Sequence, residues 1–186
     1  MEAARIGTAA DTIGIVRIAR RLAGIFLVAG SAACASRTVP QPFPDAGGPE
    51  ARVARTVRDR AAVARGDRVA AAALDLRGVP YRNGGTDPGG FDCSGLVAYV
   101  FGREGIALPR QTVAQYGAGR PVKPSDVRAG DLLFFATVSN GPSHVAIALD
   151  ADTFVHAPSS RGVVRVERLA LPYWSSRFLG ARRVVD

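Results

Sequence analysis

Residues 84–105, GGTDPGGFDCSGLVAYVFGREG, decide how this 186-residue chain is read. A glycine-rich lead-in runs into Asp92-Cys93-Ser94-Gly95. An apolar helical pattern follows, with Leu96, Val97, Val100 and Phe101 on one face. Gly102 and Gly105 end it. The spacing predicts a short helix that opens at Cys93, with Asp92 as its cap. Unpaired backbone N–H groups and the positive end of the helix dipole converge at such a start, and both favour thiolate over thiol. A lone cysteine is more often an inert core residue. Five glycines around this one argue instead for exposure on a loop-to-helix turn.

Beyond Gly130 the character changes. DLLFF (131–135), HVAIAL (144–149), TFVHA (153–157), VVRVERL (163–169) and FLGARRVV (178–185) are short, separated by turns, and rich in Val, Ile and Phe. These are strand signals. Upstream, residues 50–76 are rich in Ala, Arg, Val and Leu. Val53, Val57 and Ala61 recur at helical spacing, then Val69, Ala73 and Leu76. Gly66-Asp67 is expected to split this run into two helices, with Asp67 capping the second and Gly78 stopping it. Helices first and strands afterwards indicate an α+β fold with an antiparallel sheet.

Composition narrows the function. The chain carries 24 Lys+Arg against 16 Asp+Glu, a formal charge of +8, and its only lysine is Lys123. The basic residues form no run and have no interleaved aromatics, so a nucleic-acid partner is not expected. An apolar fraction of 47% excludes wholesale disorder. The length suits one domain with appendages, and a monomer is expected. Two cysteines in such different surroundings, Cys34 and Cys93, make no disulfide framework.

The first 34 residues read as an export signal. Arg17, Arg20 and Arg21 precede an uncharged run of 15 residues, LAGIFLVAGSAACAS (22–36). That is shorter than the roughly 20 residues needed to cross a bilayer. Basic, apolar, then small is the order of a cleavable signal. Two processing routes fit. Ala33-Cys34-Ala35 satisfies the small-x-small rule of plain secretion. Ser31-Ala32-Ala33-Cys34 is similar to a bacterial lipobox, with Ser31 where a large aliphatic residue is usual, and would make Cys34 an acylated N-terminus. The lone cysteine favours the lipoprotein, held on a membrane by its acyl chains. The region before the apolar run is long and carries Glu2 and Asp11, so a true start downstream, for instance at Val16, is also open. Residues 35–49 contain four prolines and no apolar period, as a linker does. The working domain is then 50–186.

The chain has only two histidines, His144 and His156. Alternation along the strand puts His144, Ala146 and Ala148 on one face, and Val145, Ile147 and Leu149 on the other. The small histidine face leaves room for a helix to pack close. His156 closes the next strand, and a hairpin would bring the two imidazoles together. Nucleophile, base and orienter is the logic of acyl transfer. His144 would take the thiol proton or hold the thiolate as an ion pair. His156 would fix its tautomer, and the backbone N–H of Cys93 is an oxyanion donor. A zinc site is the rival use of one Cys and two His, but it would need a fourth ligand or water, and the wide cysteine–histidine separation has no finger-like spacing. No metal or organic cofactor is expected.

The stretch GVPYRNGGTDPGGFDCSGLVAYVF, then LPRQTVAQ, GDLLFF, SHVAIAL and FVHAP, resembles the NlpC-type family of bacterial cell-wall cysteine peptidases over roughly residues 68–186. The resemblance implies a papain-like core, with the nucleophile helix on an antiparallel sheet of five to six strands. It implies hydrolysis of amide bonds in peptidoglycan stem peptides, between D-glutamate and a diamino acid or in the cross-link. It makes Cys93 the nucleophile, His144 the base and His156 the third polar residue. Tyr81 matches a tyrosine that lines the site and assists the oxyanion, and Ser94 a substrate-contacting serine. Ala146 and Ala129 depart from the family's usual glycine and proline. Arg110 could meet a substrate carboxylate, against a solvated or structural role. Trp174 reads as packing. The expected setting is the cell envelope, on a membrane facing the periplasm. The alternatives are a related amidase or acyltransferase on the same scaffold, and a non-catalytic lipoprotein that binds wall peptide.

Overall fold

A computed structural model describes residues 48–159 and 162–185. The export signal, Cys34 and the linker up to Gly47 lie outside the described residues. Pro49–Leu74 is one continuous helix, α1. Pro49 stands in its first turn, where a missing N–H costs nothing and the fixed φ suits the helix. The break expected at Gly66-Asp67 does not occur. The buried residues are Ala62, Gly66, Val69, Ala70 and Ala73, a stripe with helical period.

Gly66 lies on that stripe, and packing explains it. A Cβ there would run into the carbonyl oxygen of Ala129, and one at Gly130 would come within 2.6 Å of the Gly66 Cα. The glycine lets α1 lie directly on the turn before the central strands. That close approach offsets the roughly 1 kcal/mol that glycine costs inside a helix. Asp67 is an exposed mid-helix residue and caps nothing. Val53 and Val57, expected on the apolar face, are 62% and 59% exposed. The first half of α1 therefore runs past the core, which the helix joins only from Ala62 onward. Among the described residues no helix is long and apolar enough to cross a membrane.

A two-stranded hairpin follows, β1 (Thr86–Asp87) and β2 (Gly90–Phe91), then helix α2 (Cys93–Arg103). Helix α3 (Thr112–Tyr116) and strand β3 (Arg120–Val122) lead to the strand-rich half. This comprises β4 (Leu132–Phe135), β5 (His144–Ala148), β6 (Thr153–His156), β7 (Arg165–Arg168), the single turn α4 (Pro172–Ser175) and β8 (Phe178–Arg183). Six strands form one antiparallel sheet in the order β3-β8-β4-β5-β6-β7. All five expected strands are present. The strand β3 and the short hairpin, two or three residues per strand, are too brief to leave a period-2 signal.

Every residue of β4 and β5 is buried, so both faces of these strands are covered. On one face Leu132, Phe134, Val145, Ile147 and Val155 pack with Val69 and Ala73 of α1 and with Leu96, Val97, Val100 and Phe101 of α2. On the other, Leu133, Phe135, Ala146, Ala148 and Phe154 pack with Trp174 and Ala181. The small histidine face has the room expected for a helix, and the short α4 occupies it. Helix α2 lies on the Val145–Ile147 face, and the space over Ala146 is filled by the indole of Trp174 on α4. Each fully buried Leu or Phe contributes about 1.5–3 kcal/mol, so the two layers together hold the sheet.

A buried ion pair ties the end of β8 to the start of β4. Arg183 Nε and Nη2 donate to the two carboxylate oxygens of Asp131, each at 2.7 Å, and Nη2 also donates to the Asp126 carbonyl. Removing one member of such a pair strands the other charge in the interior.

The two helical glycines separate packing from propensity. Gly66→Ala is expected to destabilise the domain by about 1–3 kcal/mol through overpacking. Gly102→Ala in α2, where a Cβ meets nothing within 4 Å, is expected to be neutral or to stabilise by up to about 1 kcal/mol. Thermal melts followed by circular dichroism distinguish these outcomes, and equal melting temperatures for the two variants would refute the packing role of Gly66.

Candidate active site

Cys93 is the first residue of α2, and Asp92 caps the helix as expected. The Asp92 backbone is extended (φ −92°, ψ 176°), and its side chain accepts from Gly95 N–H at 2.7 Å. A second N–H, that of Gly84, donates to the other carboxylate oxygen at 3.0 Å. The lead-in glycines serve backbone approach more than simple exposure. The Gly85 carbonyl lies where a Cβ on Gly95 would stand, and the Gly90 carbonyl where one on Gly85 would stand. The β1–β2 hairpin is thus clamped onto the first turn of α2, and Cys93 is partly buried, with its sulfur 3.7 Å from Thr112 Oγ1.

Arg110 is engaged from within. Its Nη1 donates to Asp92 Oδ1 and to Ser94 Oγ, both at 2.9 Å, and its Nη2 to Asp92 Oδ2 at 2.5 Å. Burial works to raise the Asp92 carboxyl, but the Arg110 guanidinium and the N–H groups of Gly95 and Gly84 hold it below the usual carboxylate range. Arg110 therefore braces the cap of the cysteine helix. Tyr81 belongs to the same cluster. Burial, then the charges of Cys93 and Asp92, push its phenol up, with Arg110 opposing. It stays an O–H donor at neutral pH.

Two further supports in this cluster come from LPRQTVAQ, a stretch that carries the family resemblance without either residue being singled out. Thr112 opens α3 beside the sulfur. Gln115, fully buried, donates from Nε2 to the carbonyls of Ser94 (3.0 Å) and Pro109 (2.8 Å), pinning α3 to the first turn of α2.

The histidines meet as the hairpin predicts. His144 Nε2 and His156 Nδ1 are 2.9 Å apart, with the rings near perpendicular at 86°. Both are buried, His156 completely. Trp174 walls them in. Its indole stacks on His144, with centroids 5.5 Å apart and planes at 29°, and meets His156 edge-on at 4.9 Å. A cavity of about 340 Å³ opens beside His144, between Thr137, Ser159, Arg165, Glu167, Tyr173 and Trp174. Cys93 is not in its walls. The structure thus builds two direct clusters, Tyr81–Asp92–Cys93–Ser94–Arg110 and His144–His156–Trp174. Helix α2, which begins with the cysteine, packs on β5, which begins with the first histidine. Among the described residues no three His, Cys, Asp or Glu side chains are grouped to hold a metal ion.

The model of the NlpC/P60 family matches residues 78–183, and the chain belongs to that family. The Escherichia coli (strain K12) protein named murein DD-endopeptidase MepS/murein LD-carboxypeptidase is 42% identical over 113 residues, 60% of this chain and 59% of its own length. The Bacillus subtilis (strain 168) gamma-DL-glutamyl hydrolase is 40% identical over 116 residues, 60% of this chain and 28% of its own. The chain therefore spans less than two thirds of either relative. The crystal structure of the peptidoglycan hydrolase RipB from Mycobacterium tuberculosis superposes with a TM-score of 0.57 at 31% identity, covering 75% of this chain and 73% of that one.

Burial pushes His144 down to about 4, with the Glu167 charge opposing. Burial, then His144 and Arg165, push His156 down as well. Both rings are neutral at neutral pH. Unfolded, each would titrate near 6.5. Protons therefore bind the unfolded chain first, so this stability is fully present above about pH 6.5 and is lost as pH falls towards 4. For His144 alone the loss is on the order of 3 kcal/mol. Asp92, already held low, adds its own loss only below the carboxylate range. Urea unfolding between pH 7.5 and 4.5 should show the decline, and His144→Gln should make it shallower, with the His156 contribution remaining. A wild-type curve that is flat across this window would contradict the buried neutral pair.

Proposed function

We propose that this chain is a peptidoglycan endopeptidase that hydrolyses amide bonds in wall stem peptides, at a D-glutamyl–diamino acid bond or in the cross-link. The observation that carries the reading is the buried His144–His156 hydrogen bond on the strand against which the capped cysteine helix packs. The family membership and the names of the relatives point the same way.

The chemistry follows from the residues in place. His144, a neutral imidazole at neutral pH, takes the thiol proton of Cys93 rather than resting as an imidazolium. The sulfur adds to the substrate carbonyl. The developing oxyanion faces the first N–H of α2, which no carbonyl of its own helix can satisfy, and the phenol of Tyr81. His144 then returns its proton to the leaving amine, and water hydrolyses the thioester. Ser94 and Arg110 shape the acyl side of the site, Arg110 through its grip on Asp92 and Ser94. Reaction on a different amide by the same steps is the second reading, and the glutamyl hydrolase of B. subtilis favours it.

Digestion of purified sacculi, with released fragments identified by mass spectrometry, tests the function and names the bond. Wild-type protein should release muropeptides, whereas Cys93→Ala should release none and a thiol-alkylating agent should silence the wild type. Full activity of Cys93→Ala would exclude the mechanism. An intact catalyst that leaves sacculi untouched but cleaves other γ-glutamyl amides would favour the second reading.

Export and anchoring rest on the N-terminal sequence. With Cys34 acylated, the protein sits on a membrane, with the 35–49 linker holding the domain away from it. Full-length protein is expected in the membrane fraction with a lipid mass on Cys34, and Cys34→Ser is expected to move it to the soluble fraction. An unmodified Cys34, or a wild-type protein released in soluble form, would point to plain secretion.

A further inference from the structure

We infer that Glu167 is a positioning residue that sets the tautomers of both histidines, and so decides which nitrogen of His144 is bare for the thiol proton. The inference rests on the assignment of Cys93 as nucleophile and His144 as base. Glu167 lies in a strand whose sequence, VVRVERL, carries no site motif. The β6–β7 register pairs His156 with Arg165 and Phe154 with Glu167. Arg165 and Glu167 therefore stand on the sheet face that carries His156.

His156 spends Nδ1 on His144, and its Nε2 is fully enclosed with no hydrogen-bond partner. Glu167 Oε1 stands 3.7 Å from that nitrogen. Only one proton can sit between the two rings, so the pair has two neutral arrangements. In one, His156 carries its proton on Nε2, towards the carboxylate. Its Nδ1 then accepts from His144 Nε2–H, and His144 Nδ1 is left as a bare lone pair able to take a proton. In the other, the Nε2 lone pair of His156 faces the negative carboxylate. His144 then accepts through Nε2 and carries its hydrogen on Nδ1, where it cannot act as a base. The charge of Glu167 selects the first arrangement.

The carboxylate is itself held. Trp174 Nε1–H donates to Oε2 at 2.6 Å, and Arg165 Nε donates to Oε1 at 2.7 Å. Because Trp174 also stacks on His144, the same carboxylate fixes the wall against which the base lies. The charged groups facing the pair are Glu167 and Arg165 from β7. The turn α4 brings the indole of Trp174 and the ring of Tyr173, and β5 and β6 bring the imidazoles themselves. Burial keeps both rings neutral, which is what gives the tautomer its consequence.

Glu167→Gln removes the charge that makes the selection while keeping the size of the side chain. Arg165, which donates to Oε1 from both Nε and Nη2, keeps the amide oxygen on that side, so no negative charge is left to hold the His156 proton on Nε2. The test is two-bond proton–nitrogen NMR on 15N-histidine-labelled full chain at pH 7, with kcat and KM for muropeptide hydrolysis measured on the same samples. Wild type should show the proton on Nε2 of both rings. Glu167→Gln should move it to Nδ1 of His156 and lower kcat by at least tenfold, with KM changed less than threefold, and Glu167→Asp should keep the wild-type tautomers. A His156 Nδ1 proton in wild type, or wild-type tautomers and kcat in Glu167→Gln, overturns the proposal. If Glu167→Gln does not fold, the wild-type and Glu167→Asp spectra decide it. Wild-type tautomers as stated, with no hydrolysis of wall material, would sustain the role of Glu167 and remove the proposed function instead.

Discussion

The hydrogen bond between His144 and His156 is the constraint on which the rest of this site depends. Two imidazoles buried side by side cannot both stay charged, and burial keeps both neutral. A neutral pair joined by one proton has direction, so each ring has a donor end and an acceptor end. The remainder of the β-rich half enforces that geometry. The β5–β6 hairpin sets the spacing of the rings, and Trp174 closes over the small side chains of Ala146 and Ala148. In this light the alanine at 146 leaves the face small enough for the indole to lie across it.

The nucleophile side is built by a different means, close backbone approach. Gly85 and Gly95 let the chain around the β1–β2 hairpin press against the start of α2, and Asp92 is shared between the helix cap and Arg110. A bidentate pair of this kind gives geometric precision as well as energy. It also accounts for an arginine that can look available for substrate when read in isolation. Gly66 and Gly130 repeat the device, seating α1 on the turn that leads into β4. Without those contacts the sheet would lose the helix layer that presents Cys93.

Much of this was legible in the sequence, for physical reasons. The five long strands and α2 carry strong hydrophobic period, and the Asp92 cap follows from side-chain chemistry. The histidine pair follows from strand ends in one hairpin. What failed did so where tertiary contact overrides local propensity. Gly66-Asp67 looks like a helix break, yet a neighbouring carbonyl is what requires the glycine. Val53 and Val57 have the period of a buried face but lie on a stretch of helix that runs beyond the core. The small face of β5 leaves room for a helix, but which helix fills it, the single turn α4 with its indole, is set by tertiary packing. Glu167 carries no site motif, and Thr112 and Gln115 sit in the LPRQTVAQ stretch without being singled out, because their roles exist only once distant strands and helices meet. For Glu167 the alternation of Arg165 and Glu167 beside a histidine strand is a faint trace, readable only when the β6–β7 pairing is known.

The central claim is that the sulfur of Cys93 and the imidazole of His144 act as one unit. The most direct measurement is the rate at which iodoacetamide labels Cys93 across pH 5–9, read on its own tryptic peptide, in the wild-type chain and in His144→Ala. A base within reach of the thiol should make wild-type labelling at least tenfold faster at neutral pH, with the two curves converging at high pH. Superimposable curves would mean that the histidine does not serve the sulfur, and the account of this site would fail with them.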